Sequence, residues 1–397
     1  MNAVNTPDNG PAESIDPSES HSRAIAWAKT MHGFDNDGIR FAHADSWAGA
    51  GSTHIVDRRE REAREHELLA PLATRSFGAG NRAVAEEEDP FRTCFERDRD
   101  RILHASAFRR LAGKTQVFVF PQDHQRTRLT HALEVAQVAT AVSRALGLNV
   151  ALTEAIALGH DCGHGPGGHA SEDALSPFIP EGFDHAVWGA DVTLVPLNLC
   201  TETLDGIRNH SWSRPAPMTP EGEVVSWADR IAYVCHDFED AAATGIVTFD
   251  QLPEQVRTNC GTARSQQLRS FISSMIAATA ATGRIGMQPQ QADALAEFRR
   301  FNYDNIYMRD ASRNQAKSVI DLLQALVEHY ASHPHLMLTD SDQDASIAKH
   351  IAPAHSTEAL HNAVAYVGGM TDRFACRQGA ALLGWEQSRL PQGIDTH

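Results

Sequence analysis

The feature that most constrains the fold is the spacing of apolar residues between positions 90 and 385. Apolar side chains recur there at intervals of three and four, and the alternating runs typical of strands are scarce. This spacing predicts an all-α protein, with residues 117–120 as the one plausible short strand. We expect helices near residues 93–112, 128–146, 150–162, 200–210, 223–242, 264–281, 291–301, 304–330 and 356–374.

The two ends of the chain differ from this helical region. The first residues are rich in Asn, Pro, Ser, Asp and Glu and offer little apolar surface to bury, so we expect disorder there. A charged, exposed helix is predicted at 57–71, and a linker rich in Gly, Ala and Glu at 78–89. We therefore expect a disordered tail, an N-terminal extension with its linker, a main domain and a C-terminal tail at residues 1–24, 25–90, 91–385 and 386–397.

Composition indicates a cytoplasmic globular protein. The 397 residues are 42% hydrophobic, which is enough for a substantial core. Six scattered cysteines form no CxxC pair, and the N-terminus shows no apolar signal-peptide segment, so we expect reduced thiols and a cytoplasmic location. No run approaches the roughly 20 apolar residues that span a bilayer, so we expect no membrane partner.

The net charge of -16 opposes nucleic acid as the main ligand, but the charge is unevenly distributed. Residues 92–128 carry nine basic and four acidic side chains, a local excess of +5. Such a segment inside an acidic protein suits a small polyanion held in a pocket. A solvated helix face with internal ion pairs explains the segment equally well.

Three helices carry the chemistry. His131 shares an apolar stripe with valines at 135, 138 and 142, although a lone inward histidine is more often a core residue. His160 and Asp161 end the next helix and precede the glycine-rich segment from Gly163 to His169, which is hard to explain by packing alone. Asp229, Tyr233 and Asp237 share one face of a third helix at i, i+4 and i+8.

These residues favour a metal site. Imidazole and carboxylate donors together suit Mn, Fe, Zn, Ni or Co, with Mg less at home beside two histidines. His131, His160, Asp161 and Asp229 would leave positions for water and a phosphate oxygen. Hydrolysis of a phosphate ester or anhydride is the reaction class that such a site favours.

The order His131, His160-Asp161, Asp229 resembles the H…HD…D signature of the HD superfamily of metal phosphohydrolases. Five flanking segments look like the deoxyguanosine-triphosphate triphosphohydrolase family. They are residues 97–102 (RDRDRI), 108–111 (FRRL), 114–117 (KTQV), 126–131 (RTRLTH) and 228–233 (ADRIAY). The resemblance covers residues 90–245 and is weaker through the later helices. It implies an HD-domain helical bundle with additional helices.

The resemblance also implies an activity and roles for residues. Relatives hydrolyse dNTPs at the α-phosphate and release a deoxynucleoside and inorganic triphosphate. His169 and Glu172 resemble the catalytic pair, and they stand i, i+3 apart, so the carboxylate can orient the imidazole. The remaining residues that would contact triphosphate or sugar are His164, His185, Arg109, Arg110, Arg128, Arg230, Tyr233 and Asp237.

The sequence departs from the family at Gly167, where many relatives place an aromatic residue. We expect this change to affect loop rigidity and base preference. Family likeness further implies a homo-oligomer and leaves room for a dNTP effector. The alternatives are an HD phosphodiesterase or nucleotidase acting on another nucleotide, and a non-catalytic nucleotide sensor, although a pure sensor has no need of His169 and Glu172.

Overall fold

The computed structural model describes residues 17–36, 38–120, 125–337 and 351–392. Helices dominate this part of the chain, which confirms the all-α class. The α-helices α1 to α16 are, in chain order, Pro17–Thr30, Arg58–Leu68, Cys94–His104, Ser106–Arg110, Arg128–Leu146, Val150–Gly159, Ala170–Leu175, His185–Trp188, Thr201–Arg208, Pro220–Ala243, Glu254–Cys260, Arg264–Thr282, Pro289–Asn302, Asp310–Ser332, Thr357–Gly368 and Asp372–Leu383.

The chain divides into a small unit, Met1–Ile55, and a large unit, Val56–His397. The small unit contains α1 and an antiparallel hairpin of β1, Phe34–Asn36, and β2, Ile39–Phe41. The hairpin was not predicted, because three-residue strands are too short to show an alternating pattern. Helix α1 begins inside the segment for which we expected disorder, and residues 1–16 lie outside the described part.

The predicted strand at residues 117–120 is wrong. These residues form a bend, and Thr115 makes only an isolated bridge to Thr127. Phe118 is buried and Phe120 has a left-handed φ of 54°. The apolar character that suggested a strand instead serves packing, because the described residues offer this segment no neighbouring strand to pair with.

The core of the large unit is built around α5, α6 and α10, which pack against one another, with α3 against α6 and α12 against α5. Their buried residues form one apolar cluster that includes Val135, Val138, Ile156 and Val225. A second cluster joins α14 to α7, α15 and α16. None of the helices in the described ranges is long and apolar enough to cross a membrane.

Local signals fix where the central helices begin and end. Helix α5 starts after Thr127, which forms a capping box with Thr130, and ends at Gly147 in a left-handed conformation with a φ of 67°. Asn149 caps the first turn of α6. Thr219 caps α10, and Pro220 occupies its first position. These boundaries determine which residues of α5, α6 and α10 lie where the three helices meet.

Candidate active site

Four side chains meet where α5, α6 and α10 converge: His131, His160, Asp161 and Asp229. Nε2 of His131 lies 3.0 Å from Oδ1 of Asp229 and 3.9 Å from Oδ2 of Asp161. Nε2 of His160 lies 3.6 Å and 3.5 Å from the same two oxygens. The structure therefore brings together all four residues that the sequence suggested as metal ligands. We refer to them as the first cluster.

The orientation of His160 fits a metal ligand. Its Nδ1 lies 2.7 Å from the carbonyl oxygen of Ala157, which can only accept a hydrogen bond, so Nδ1 carries the proton. The opposite nitrogen, Nε2, is buried and has no hydrogen-bond partner among the described residues. A buried nitrogen aimed at two carboxylates is the arrangement that a divalent cation satisfies, with the cation in the place of the Nε2 proton.

The charges of the first cluster are strongly coupled. Burial works against the charged form of His160, but Asp161 and Asp229 outweigh it and raise its pKa to about 9. Burial also opposes ionisation of Asp161, yet Arg128 and His160 hold the pKa of that carboxyl well below its usual range. The cluster thus keeps its carboxylates ionised, which favours a bound cation.

Asp161 is also contacted from the side of the glycine-rich segment. Nη1 of Arg128 donates to Oδ2 of Asp161 at 2.7 Å, and Nε2 of His164 lies 3.2 Å from Oδ1. Gly168 permits this approach: its φ is 64°, and a Cβ there would lie 2.8 Å from Nη2 of Arg128. The structure buries His164 completely.

Gly167 explains the departure from the family pattern. Its φ is 75°, and a Cβ would lie 2.4 Å from a methyl group of Val319 on α14. Its backbone N–H donates to Oδ1 of Asp372 at 2.9 Å, and Oδ2 of Asp372 accepts from the Thr115 hydroxyl. A larger residue is excluded here because α14 and α16 close over the loop.

A second group of titratable residues follows along the loop and α7. Glu172 accepts hydrogen bonds from two imidazoles, with Oε2 2.9 Å from Nδ1 of His169 and Oε1 2.8 Å from Nδ1 of His185. Burial opposes ionisation of Glu172, but these two hydrogen bonds hold its pKa far below the usual range. His169 is exposed with 75% of its side-chain surface accessible, whereas His185 is buried and stacks on His164 with ring centroids 3.7 Å apart.

His210 was missed by the sequence interpretation. It follows α9 and is buried against the first cluster, with its ring centroid 5.0 Å from that of His160. Its Nδ1 lies 2.8 Å from the carbonyl oxygen of Ile207. Burial and the neighbouring His160 lower the pKa of His210 to about 4, so it is neutral near pH 7. The sequence did offer a signal, since His210, like His160, lies within two residues of the end of a helix.

A cavity of about 880 Å³ opens beside both groups of residues. This volume is typical of a small-molecule site. Four arginines line it: Arg128 and Arg230, which were predicted, and Arg299 and Arg309, which were not. The guanidinium of Arg230 lies over the ring of Trp212, 3.4 Å from its centroid. The lining therefore combines positive charge with aromatic surface.

The far end of the cavity is formed by the polar stripe of α10. Tyr233 accepts a hydrogen bond from Nε of Arg299 at 2.8 Å, and Tyr307 donates to Oδ2 of Asp237. Burial raises the pKa of Asp237 to about 7, although the Tyr307 hydroxyl opposes this. Oδ1 of Asp237 is buried without a hydrogen-bond partner in the described ranges. This end can therefore accept a hydroxyl group from a ligand.

Arg109 and Arg110, which were predicted to bind substrate, are not among the residues that line this cavity. Arg109 is exposed and donates to the carbonyl of His104 at 2.6 Å, and Arg110 lies near the Ser106 hydroxyl. Most of the basic segment is ion-paired, including Arg92 with Asp100 and Arg97 with Glu86. The solvated, ion-paired alternative thus accounts for most of residues 92–128. Among the described residues of this segment, only Arg128 and Thr115–Val119 line the cavity.

Comparison with known proteins agrees with this geometry. The family model of the HD domain matches residues 128–234, and the model of the phosphohydrolase-associated domain matches residues 285–381. Two relatives are named deoxyguanosinetriphosphate triphosphohydrolase-like protein. The one from Caldanaerobacter subterraneus subsp. tengcongensis is 36% identical over 80% of this chain and 93% of its own length. The one from Desulfatibacillum aliphaticivorans is 37% identical over 80% of this chain and 95% of its own length.

The two matched domains contain all the residues of the first cluster and most of the residues that line the cavity. A hydrolase is therefore the class of enzyme that the fold, the site and the relatives share. The chain belongs to the deoxyguanosinetriphosphate triphosphohydrolase-like family of HD-domain phosphohydrolases.

Proposed function

We propose that the protein hydrolyses deoxynucleoside triphosphates at the α-phosphate and releases the deoxynucleoside and inorganic triphosphate. The observation that carries this proposal is the position of Glu172, which bonds His169 and His185 next to the first cluster. Hydrolysis at the α-phosphate expels the 5′-oxygen as an alkoxide, which needs a proton far more than a leaving pyrophosphate does. A carboxylate-oriented imidazole at the cavity wall is suited to deliver that proton.

His169 is the residue best placed for this role. It is exposed to the cavity, and Glu172 fixes the proton on Nδ1, so that Nε2 is free to face a substrate. Once protonated on Nε2 as well, the imidazole would be the acid that delivers a proton to the leaving oxygen. His164 and His185 lie deeper, where they can contact phosphate oxygens or position other groups.

The residues of the first cluster would hold the divalent ion. When bound, such an ion neutralises charge on phosphoryl oxygens and lowers the pKa of a water. The arginines that line the cavity add further positive charge. A triphosphate brings roughly four negative charges, which arginine forks suit. The ring of Tyr233 and the carboxyl of Asp237 would face the sugar, where the ring would reject a ribose 2′-hydroxyl.

The experiment is to incubate the protein with each dNTP and NTP in the presence of Mn, Fe, Zn, Ni, Co or Mg, and to identify products by ion chromatography. Inorganic triphosphate and a deoxynucleoside in equal amounts are expected. In ¹⁸O-labelled water the label should enter the triphosphate and not the deoxynucleoside, because water attacks the α-phosphorus. Phosphate or pyrophosphate as the primary product would contradict the release of triphosphate and would favour an HD hydrolase that cleaves another phosphate bond.

We further propose that the protein acts as a homo-oligomer and that a dNTP can act as an effector. The support is family likeness alone. Light scattering with and without each dNTP tests the assembly. Activation of one dNTP's hydrolysis by a second dNTP tests the effector, and purely additive rates would contradict it.

A further inference from the structure

Arg230 is held in the cavity by an aromatic ring. Among the other arginines of the lining, Arg128 donates to a carboxylate of the first cluster at 2.7 Å, and Arg299 donates to the Tyr233 hydroxyl at 2.8 Å. The guanidinium carbon of Arg230 instead lies 3.4 Å from the centroid of the Trp212 ring. The neutral hydroxyl of Tyr233 is a neighbour of Arg230, and none of the described carboxylates forms an ion pair with it.

The kind of partner decides what a guanidinium can still bind. A carboxylate partner neutralises the positive charge and occupies the N–H donors. An aromatic ring attracts the cation to its face and restricts its orientation, while the N–H groups at the edge of the guanidinium stay free. An arginine that lies over a ring is therefore oriented in advance and remains able to bind an anion through two parallel hydrogen bonds.

Trp212 is fixed to the turn of α10 that carries Arg230. Its Nε1 donates to the carbonyl oxygen of Ser226 at 3.1 Å, and the Ser226 hydroxyl donates to the carbonyl oxygen of His210. The rings of Trp212 and Trp227 meet edge to face, with centroids 4.7 Å apart. These contacts hold the indole in one orientation, although 46% of the Trp212 surface is exposed.

The stacked pair lies beside the first cluster. Arg230 directly follows Asp229 in α10, and Trp212 and Arg230 both line the cavity. The single N–H of the indole is already bonded to Ser226, so the ring has no donor left for an anion. An effect of Trp212 on anion binding should therefore act through Arg230.

We propose that Trp212 is a positioning residue for triphosphate binding, because it holds the Arg230 guanidinium against its ring. The inference rests on the proposed function, since it takes the triphosphate group of the substrate as the ligand of Arg230. Trp212 itself would not contact the triphosphate. Without the ring Arg230 would keep its charge but lose its orientation, and binding would then have to order a long side chain, which weakens affinity.

The test measures binding of inorganic triphosphate to the full-length chain by calorimetry at a fixed excess of Mg²⁺. Trp212→Leu keeps an apolar side chain but removes the ring. It should weaken binding by roughly 3- to 30-fold, the range expected for the loss of a cation–π contact. Trp212→Phe retains a smaller ring and should recover part of the affinity. Neither variant should change the affinity for a deoxynucleoside, measured in the same way.

A double-mutant cycle with Arg230→Met separates positioning from a general structural effect. Once Arg230 is replaced, Trp212→Leu should have no further effect on triphosphate affinity. An equal loss in both backgrounds would overturn the proposal, as would unchanged affinity in Trp212→Leu or no triphosphate binding by the unmodified protein. A loss of deoxynucleoside affinity instead would also overturn it, because the ring would then contact the nucleoside.

Trp385→Leu is the matched control, because the guanidinium of Arg389 lies 3.7 Å from the Trp385 ring centroid and neither residue lines the cavity. This variant should bind triphosphate as the unmodified protein does. Circular dichroism verifies the fold of each variant. If Trp212→Leu does not fold, Trp212→Phe with and without Arg230→Met provides the same cycle.

Turnover of dNTPs is measured separately on the same samples, so the two proposals can fail independently. Triphosphate binding that depends on Trp212 through Arg230, in a protein that does not hydrolyse dNTPs, would support the role of Trp212 and contradict the proposed function. Hydrolysis of dNTPs by a protein whose triphosphate affinity does not depend on Trp212 would do the reverse.

Discussion

Oε2 of Glu172 lies 2.9 Å from Nδ1 of His169, one helical turn away on the glycine-rich loop and the start of α7. The contact orients the exposed imidazole of His169. Because Nδ1 is occupied, Nε2 is the only ring nitrogen that can exchange a proton with a ligand. The spacing i, i+3 predicted this pair, and the structure shows that Glu172 holds His185 as well.

His169→Ala should lower the rate of the chemical step by roughly 10² to 10⁴-fold while bound metal is retained, as expected for the loss of a general acid. Glu172→Gln should lower this rate by a smaller factor. The losses in the double variant should be less than additive, because the part of the Glu172 effect that acts through His169 is already absent and only its contact with His185 remains. The single-turnover rates of the unmodified protein, the two single variants and the double variant form a double-mutant cycle. Additive losses would show that the two residues act independently.

Asp229→Ala should abolish both bound metal and hydrolysis, because it removes the carboxylate that contacts His131 and His160 in the first cluster. His160→Ala and Asp161→Ala should do the same. Metal analysis and circular dichroism distinguish loss of the site from loss of the fold. Asp191→Ala is the control, since that surface carboxylate pairs with Arg208. Full activity of Asp229→Ala would rule out this metal site.

Tyr233→Ala should lower the ratio of dNTP hydrolysis to NTP hydrolysis, because the ring would no longer exclude a 2′-hydroxyl. Tyr233→Phe keeps the ring and loses only the hydroxyl that accepts from Arg299. It should preserve the discrimination, which separates a steric role from a hydrogen-bonding one. The measurement is kcat/KM for matched dNTP and NTP pairs. Equal hydrolysis of both by the unmodified protein would exclude this role for Tyr233.

Asp372→Ala should destabilise the protein by about 2–4 kcal/mol, since the Gly167 N–H and the Thr115 hydroxyl both lose a buried acceptor. Asp372→Asn keeps an oxygen that accepts from the Gly167 N–H, so the loss of stability should be clearly smaller. Unfolding in urea gives both values. Equal losses for the two variants would show that the charge of Asp372, and not its role as an acceptor, matters for stability.

Lys114 should make stability depend on pH. Burial, reinforced by Arg110, lowers the pKa of Lys114 to about 7, whereas in the unfolded chain it is about 10.4. Between these values the unfolded state binds more protons, so this group makes the free energy of unfolding rise as pH increases from about 7 to 10. The neutral amine can still donate to the carbonyls of His164 and Gly368. Relative to Lys114→Met, the unmodified protein should gain stability across that range, and a constant difference would contradict the shift.

The sequence by itself determined the helical class, the identity of the first cluster and the pair of His169 and Glu172. Each of these depends on local information: a period of three to four, a histidine and aspartate at a helix end, or a spacing of one turn. The same local reasoning erred at residues 117–120, where apolar content resembled a strand. The neighbours that decide the conformation of this segment lie elsewhere in the chain.

Only the tertiary structure decided what surrounds the first cluster. Arg299, Tyr307 and Arg309 reach the cavity because α13 and the turn before α14 lie along it, more than 50 residues after Asp229 in sequence. His210 joins His185 because α8 and α9 pack together, and Asp372 reaches Gly167 across 205 positions. Side chains from distant segments come into contact only when burial of apolar surface brings their helices together. The spacing of residues within one helix therefore does not predict these contacts.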